Sequence, residues 1–361
     1  MATSDVIPEM MRALQLVEYN KDYKLTSIPV PVAGTGELLV QVAAASFCHT
    51  DLQVHQGVYE TKVPMVPSHE PVGTIVCRGP NTDSKWEIGQ RVGVLNFKHP
   101  CGSCRKCRWH KGEYGTLDAR FCESKNMAGI TTDGGFAEYL LADAATTVLL
   151  PEDLGFEQAA PLMCAGATVW NALSQCNLKS GQTVGIIGIG GLGILAVQLA
   201  KALGYQTVAV DNCPENLNLS SDTEPGLEPD LLVDYNDSEA TLKIWNFTDG
   251  LGLRAAVVCN DDVQAAEWSL KLLQPRGTCV PLGLPEKGYH FNAFDLVFNE
   301  LVIKGSLCAS RDSVEAMMKV VAKHGIKSHI TTVALKDAAA LPTKYKNRDF
   351  KGRLVVTMDE E

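Results

Sequence analysis

Three groups of residues carry side chains suited to chemistry. Cys48-His49-Thr50-Asp51 is followed by Ser68-His69-Glu70 and, much later, by Cys164. Cys101-x2-Cys104-x2-Cys107 is a tight thiol cluster with Cys122 soon after it. Gly188-Ile189-Gly190-Gly191-Leu192-Gly193 joins the apolar run TVGIIG to ILAVQLAKALG. Thiolate and imidazole are the donors Zn²⁺ prefers. A glycine-rich turn between a strand and a helix is what a dinucleotide pyrophosphate needs. Taken singly, each Cys or His is equally readable as a buried core residue.

The glycine run is informative because of its setting. Gly188 permits the tight turn, Gly190 lets backbone N–H groups approach a pyrophosphate, and Gly193 allows close helix–strand packing. Asp211 ends the next strand, 18 residues beyond Gly193, and no Arg or Lys follows it within nine residues. A carboxylate there accepts from ribose hydroxyls and repels a 2′-phosphate, so NAD is expected over NADP.

Twelve cysteines in 361 residues are unevenly placed. Disulfides do not persist in a reducing compartment, so clustered thiols point to metal. Isolated Cys77, Cys176, Cys259 and Cys279 lie in apolar surroundings and read as small buried hydrophobes. The net charge of −10 argues against a nucleic-acid partner. The one basic stretch, Lys98 to Lys111, coincides with the thiol cluster. No uncharged apolar run reaches the roughly 18 residues of a membrane span. MATSDVIPEMMRAL has neither a basic nor an apolar leader region, so a cytoplasmic protein is expected, and Asn-x-Ser/Thr windows at Asn218, Asn236 and Asn246 read as chance.

The elements that must position these residues follow two rhythms. Residues 12–160 read as short strands broken by Gly and Pro: Glu37 to Ala43, Val72 to Arg78, Arg91 to Leu95, Ala137 to Leu141. From Gln182, short β-branched runs (TVGIIG, TVAV, LLVDY, AAVVCN, GTCVPLG, LVIKGS) alternate with helical segments such as VQAAEWSLKLL. That alternation predicts a parallel sheet with helices on both faces. Ser220 to Pro229 reads as a surface loop where a crossover helix belongs. An amphipathic helix (Ser313 to Lys323) and a last strand, GRLVVT, complete the chain. The length itself calls for two domains.

Cys48-His49-Thr50-Asp51, Ser68-His69-Glu70, Cys164, the cysteine cluster, GxGGxG, a Gly-Leu-Pro after the fifth strand and the terminal Gly-Arg strand together resemble the medium-chain zinc-containing alcohol dehydrogenases, over nearly the whole chain. The resemblance implies an α/β fold: a β-rich GroES-like catalytic domain over 1–165 and 308–361, and a Rossmann doubly wound parallel sheet for the coenzyme over 166–307. It implies hydride transfer between an alcohol and NAD(H), with Cys48, His69 and Cys164 holding a catalytic zinc. Zinc lowers the pKa of a bound alcohol, or polarises an aldehyde carbonyl in reverse. By resemblance, Asp51 fixes the imidazole tautomer, Glu70 assists ligand exchange, and Thr50 takes the alcohol's proton. His49 and Arg353 match pyrophosphate contacts, and Thr168 and Leu192 match positions beside the nicotinamide. Tyr59 and Phe97 match channel walls, with His55 near the pocket; three bulky cyclic side chains favour a small or planar substrate. The family often ends its proton relay with a His five residues after the first Cys. Gln53 stands there, and it cannot act as acid or base near pH 7.

The cluster of Cys101, Cys104 and Cys107 resembles the family's structural zinc lobe, whose fourth Cys normally follows after seven residues. Here fourteen intervene before Cys122, as if seven had been inserted. Either Cys122 closes a four-thiolate site, giving two zinc ions per subunit, or the lobe uses His110 or no metal. Alternatives for the whole chain are a zinc-independent enone or quinone reductase, which lacks such ligands, and a non-enzymatic dinucleotide-binding protein. Polyol dehydrogenases usually place Glu where Cys164 stands. A small-molecule alcohol or aldehyde is the expected partner, in a homodimer or homotetramer.

Overall fold

A computed structural model describes residues 7–358; the reading of the first 14 residues as free of a leader lies partly outside them. The chain divides into two compact units. One gathers the chain up to Cys164 with Ser310–Glu315 and the segment from Ile330 onward; the other holds Ala165–Ala309 and Ala316–His329.

The first unit is built on a seven-stranded sheet. In order, Ile330–Ala334, Arg353–Thr357, Glu37–Phe47, Glu70–Arg78, Arg91–Val94 and Thr147–Leu149 pair side by side, and Tyr139–Asp143 also pairs with Glu37–Phe47. All pairs are antiparallel except the first. Leu38, Val40, Phe47, Ile75, Trp86, Val92 and Phe136 form the core against this sheet. The register sets Ser46 opposite both Glu70 and Val355. Cys48 therefore leaves one strand end just where His69 enters the next.

The second unit holds a six-stranded, wholly parallel sheet in the order Leu231–Asp234, Gln206–Asp211, Thr183–Ile187, Leu253–Val258, Leu273–Pro281, Val302–Ile303. The chain starts in the middle, runs to one edge, then crosses to the other. That is the doubly wound Rossmann order, whose reversal lies beside the Thr183–Ile187 strand. Val184, Ile186, Val208, Val210, Val257 and Val258 are all buried, as a sheet covered on both faces requires.

Ser220 to Pro229 is irregular from Asp222 onward, as expected, and a helix, Pro214–Ser221, precedes it in the crossover. The helix's Asn and Ser residues have weak helix propensity, and only Leu217 and Ser220 are buried, so no apolar stripe shows in the sequence. Two expectations are corrected. Residues 316–329 lie with the second unit rather than the catalytic one. Met317, Met318 and Val321 are buried, and Gln198 of the Gly193–Ala202 helix donates to the Lys327 carbonyl. LVIKGS pairs only over Val302–Ile303. Among the described residues no helix is long and apolar enough to cross a membrane.

Candidate metal and coenzyme sites

Cys48 caps the short helix His49–His55, and its backbone amide donates to Asp51 Oδ2 at 2.8 Å. The other oxygen of Asp51 accepts from the Ser68 amide at 3.1 Å and lies 3.2 Å from His69 Nδ1. A carboxylate only accepts, so Nδ1 carries a hydrogen there and Nε2 is the nitrogen left to ligate once its own proton is displaced. One donor atom each from Cys48, His69, Glu70 and Cys164 then lies within 4.8 Å of the others. The hydrogen bond with Cys164 holds the Cys48 thiol well below its usual range, with His69 and Arg353 adding to it against burial. Burial opposes a charge on His69, but Asp51 and Cys48 outweigh it and hold the imidazole well above its usual value. A cation entering here displaces those protons.

Glu70 and Arg353 form a buried ion pair, and Arg353 also donates to Ser46 Oγ at 3.0 Å. Burial pushes the Glu70 carboxyl up to about 7 against the pull of Arg353. Glu70 Oε1 is buried without a hydrogen-bond partner. Two thiols, an imidazole and a carboxylate oxygen with no donor fit a zinc ion.

Thr50 and Asp51 lie on the helix that begins after Cys48, and His49 has its ring 6.3 Å from that of Tyr345. Of the expected channel residues, Tyr59 interacts electrostatically with His69, Cys48 and Cys164. His55 instead is 3% exposed, packs edge-on against Tyr23 and pairs through Nε2 with the Lys21 carbonyl. Phe97 lies under the Lys125 ammonium, 5.6 Å away. The sequence signals nothing about the Tyr59 hydroxyl, which donates to Gln53 Oε1 at 3.3 Å, because the loop geometry that creates this contact is not periodic.

Cys101, Cys104, Cys107 and Cys122 bring their sulfurs within 4.8 Å of one another. Backbone amides of Cys101, Cys104, Cys107 and Ser124 each point at a sulfur of this cluster, at 3.3 Å. Such donors favour thiolates: amides of Cys104 and Ser103 bring Cys101 down to about 6, and that of Glu123 heads those lowering Cys104. Burial leaves Cys107 up at about 12. The extra residues extend a helix, Arg105–Tyr114, and a 3-10 turn, Ala119–Phe121, that delivers Cys122. His110 turns away from the sulfurs, pairs with the Thr116 carbonyl at 2.8 Å and packs among Tyr114, Phe121 and Trp109.

In the second unit, Gly188 has φ +94°, and a Cβ on Gly193 would sit 2.0 Å from the Gly188 carbonyl oxygen. A Cβ on Gly190 would meet nothing within 4 Å. Gly190 thus faces the open space that a pyrophosphate over the N-terminus of Gly193–Ala202 requires. Gly191 precedes Leu192, the N-cap of that helix, which offers no side-chain cap. Asp211 Oδ2 accepts from the Ile189 amide at 2.6 Å and Oδ1 from the Cys213 amide at 2.8 Å. A cleft beside it is lined by Gly188, Asp211, Asn212, Tyr235 and Asp262, among others, and its lining includes neither Lys nor Arg. Thr168 Oγ1 lies 3.4 Å from Cys308 Sγ.

Comparison with known proteins agrees with this geometry. Residues 34–152 match the family model of the alcohol dehydrogenase GroES-like domain, and 191–323 match that of the zinc-binding dehydrogenases. An alcohol dehydrogenase of Geobacillus stearothermophilus is 34% identical over 97% of this chain and 100% of its own. The structure of acetophenone reductase from Geotrichum candidum in complex with NAD superposes with TM-score 0.82 at 27% identity, covering 98% of each chain. The alcohol dehydrogenase of Aeropyrum pernix gives TM-score 0.83 at 26% identity, covering 96% of this chain and 99% of that one. The chain is an oxidoreductase and belongs to the medium-chain zinc-containing alcohol dehydrogenase family.

Proposed function

We propose that this enzyme transfers hydride between a primary or secondary alcohol and NAD, with Cys48, His69 and Cys164 holding a catalytic zinc and Cys101, Cys104, Cys107 and Cys122 a structural one. The observation that carries the reading is the convergence of the Cys48, His69 and Cys164 donors within 4.8 Å, with Asp51 fixing the far nitrogen of His69. Zinc, when bound, supplies a Lewis acid that makes an alcohol acidic near neutral pH.

The chain's own residues do the rest. Asp51 orients His69 and, through the Cys48 amide, the start of the helix carrying Thr50. Thr50 accepts the alcohol's proton. Glu70, held by Arg353, keeps a carboxylate oxygen available beside the donors. Gly188, Gly190, Gly191, Leu192 and Gly193 seat the pyrophosphate, and His49 and Arg353 are the family's further contacts to it. Asp211 takes the ribose hydroxyls; with Asp262 also lining the cleft and no cation there, NAD is favoured over NADP. The test is a panel of alcohols, aldehydes and ketones assayed with NAD(H) and NADP(H). The reading requires turnover with NAD(H) that a strong zinc chelator abolishes; turnover that survives complete zinc removal contradicts it. The chain is expected to form a homodimer or a homotetramer, and light scattering distinguishes the two.

A further inference from the structure

The segment KYKNRDFKGR, residues 344–353, places five cations and one carboxylate in a chain of net charge −10. Two rings fold it. Tyr345 and Phe350 stack at 5.4 Å, and Tyr345 packs on Phe47 at 5.1 Å and beside His49 at 6.3 Å. Between the rings the Arg348 amide donates to the Tyr345 carbonyl at 3.1 Å, and Arg348 holds a left-handed φ of +55°. The Lys351 amide donates to Thr331 Oγ1 at 3.2 Å. Burying the rings leaves Lys346, Arg348 and Lys351 exposed and Lys344 half-buried. Elsewhere Lys201, Lys243, Arg276 and Lys327 each pair with a carboxylate. Among the described residues, Lys344, Lys346, Arg348 and Lys351 have no such partner. The fifth cation, Arg353, is different: it is buried, and Glu70 and Ser46 hold its guanidinium. Its Nε is buried without an acceptor, an unmet donor that suits an anion.

We propose that Lys344, Lys346, Arg348 and Lys351 capture the coenzyme's diphosphate from solution and steer it to His49 and Arg353. The proposal rests on the reading of those two residues as pyrophosphate contacts. A chain of net charge −10 repels a dinucleotide at long range, and NADH carries two phosphate charges with no cation to offset them. Arg353 is shielded from solvent and engaged by Glu70, so it adds little to the first encounter. The four other cations stand in solvent or at its edge, on the loop that Tyr345 anchors beside His49. Within a Debye length, about 10 Å at 0.1 M salt, their field opposes that of the rest of the chain. Charges at the rim of a site act mainly on the association rate and little on dissociation. A neutral alcohol or aldehyde feels no comparable pull.

Stopped-flow fluorescence of NADH mixed with the zinc-loaded enzyme separates association from dissociation. In the wild type the association rate is expected to fall roughly tenfold as ionic strength rises from about 0.02 M to about 0.5 M. The fourfold change Lys344→Gln, Lys346→Gln, Arg348→Gln and Lys351→Gln should associate roughly tenfold more slowly at the low ionic strength, with little further effect of salt. Its dissociation rate should stay within about threefold of the wild type. A control removes as many exposed cations elsewhere: Lys85→Gln, Lys179→Gln, Lys271→Gln and Lys323→Gln. It alters net charge equally and should associate at close to the wild-type rate. Slowing as large in the control as in the first variant overturns the proposal, because net charge alone would then explain it. So does a first variant that associates as fast as the wild type, or one whose lost affinity lies in dissociation. A wild-type rate indifferent to salt overturns it without any variant, and leaves the dehydrogenase reading intact. A wild-type enzyme that binds no NADH sinks both.

Discussion

His69 Nδ1 lies 3.2 Å from Asp51 Oδ1, and both side chains are essentially shielded from solvent. The same carboxylate accepts from the backbone of Cys48 and Ser68, so it ties together the segments that carry two of the proposed zinc ligands. Asp51→Asn keeps the shape but removes the charge and replaces one acceptor oxygen with a donor. We expect zinc affinity at this site to fall about 10–100-fold, the usual effect of losing such a partner. Competition with a graded chelator reads it; unchanged affinity would mean that Asp51 does not orient His69.

At the thiol cluster, Cys122→Ser is expected to release one zinc and lower the melting temperature, because a closed four-thiolate site contributes folding free energy. The kcat/KM of the surviving folded enzyme should stay near normal, since this cluster shares no residue with the Cys48 site. Full zinc content and an unshifted melting curve would show that Cys122 is not a ligand.

Asp211→Gly is expected to narrow the preference for NADH over NADPH, measured as the ratio of kcat/KM values, and an added Asn212→Arg should narrow it further. A second effect follows from the bond between Asp211 Oδ2 and the Ile189 amide. Removing that acceptor loosens the glycine turn, so KM should rise for both coenzymes in the single variant. Wild-type preference for NADPH would refute the assignment of Asp211.

The Glu70–Arg353 pair has both side chains buried. Arg353→Leu removes the charge that opposes the effect of burial on the Glu70 carboxyl, so Glu70 takes up a proton near neutral pH. It is left as an unpaired buried acid next to the thiols, and stability falls by at most about 3–5 kcal/mol. Thermal unfolding of the zinc-free protein should show it. Adding Glu70→Leu should recover much of the loss, because two apolar groups replace the pair together. A double variant no more stable than Arg353→Leu would show that the ion pair is not the source.

The proposed ligand residues were legible in the sequence because their chemistry is rare and their order matches a known pattern, and the donor atoms of Cys48, His69 and Cys164 lie within 4.8 Å of one another. Gly188 and Gly193 were legible for a steric reason that the structure repeats, a left-handed turn and a 2.0 Å approach. His55 was not, because helix register alone does not say that its ring turns inward to Tyr23 and the Lys21 carbonyl. Nor was the Pro214–Ser221 helix, whose sequence lacks the periodic apolar stripe that announces one. Whether Cys122 reaches the other thiols depends on the Arg105–Tyr114 helix and the turn after it, and spacing alone left His110 open.

Cys48, His69 and Cys164 are proposed to hold a zinc distinct from a second one proposed at the thiol cluster. Elemental analysis of the wild-type enzyme and of Cys48→Ser, each purified without added metal, tests it most directly. Two zinc ions per subunit in the wild type and one in Cys48→Ser are predicted from the two donor sets. A wild-type value near zero, or the same value in both proteins, would contradict it.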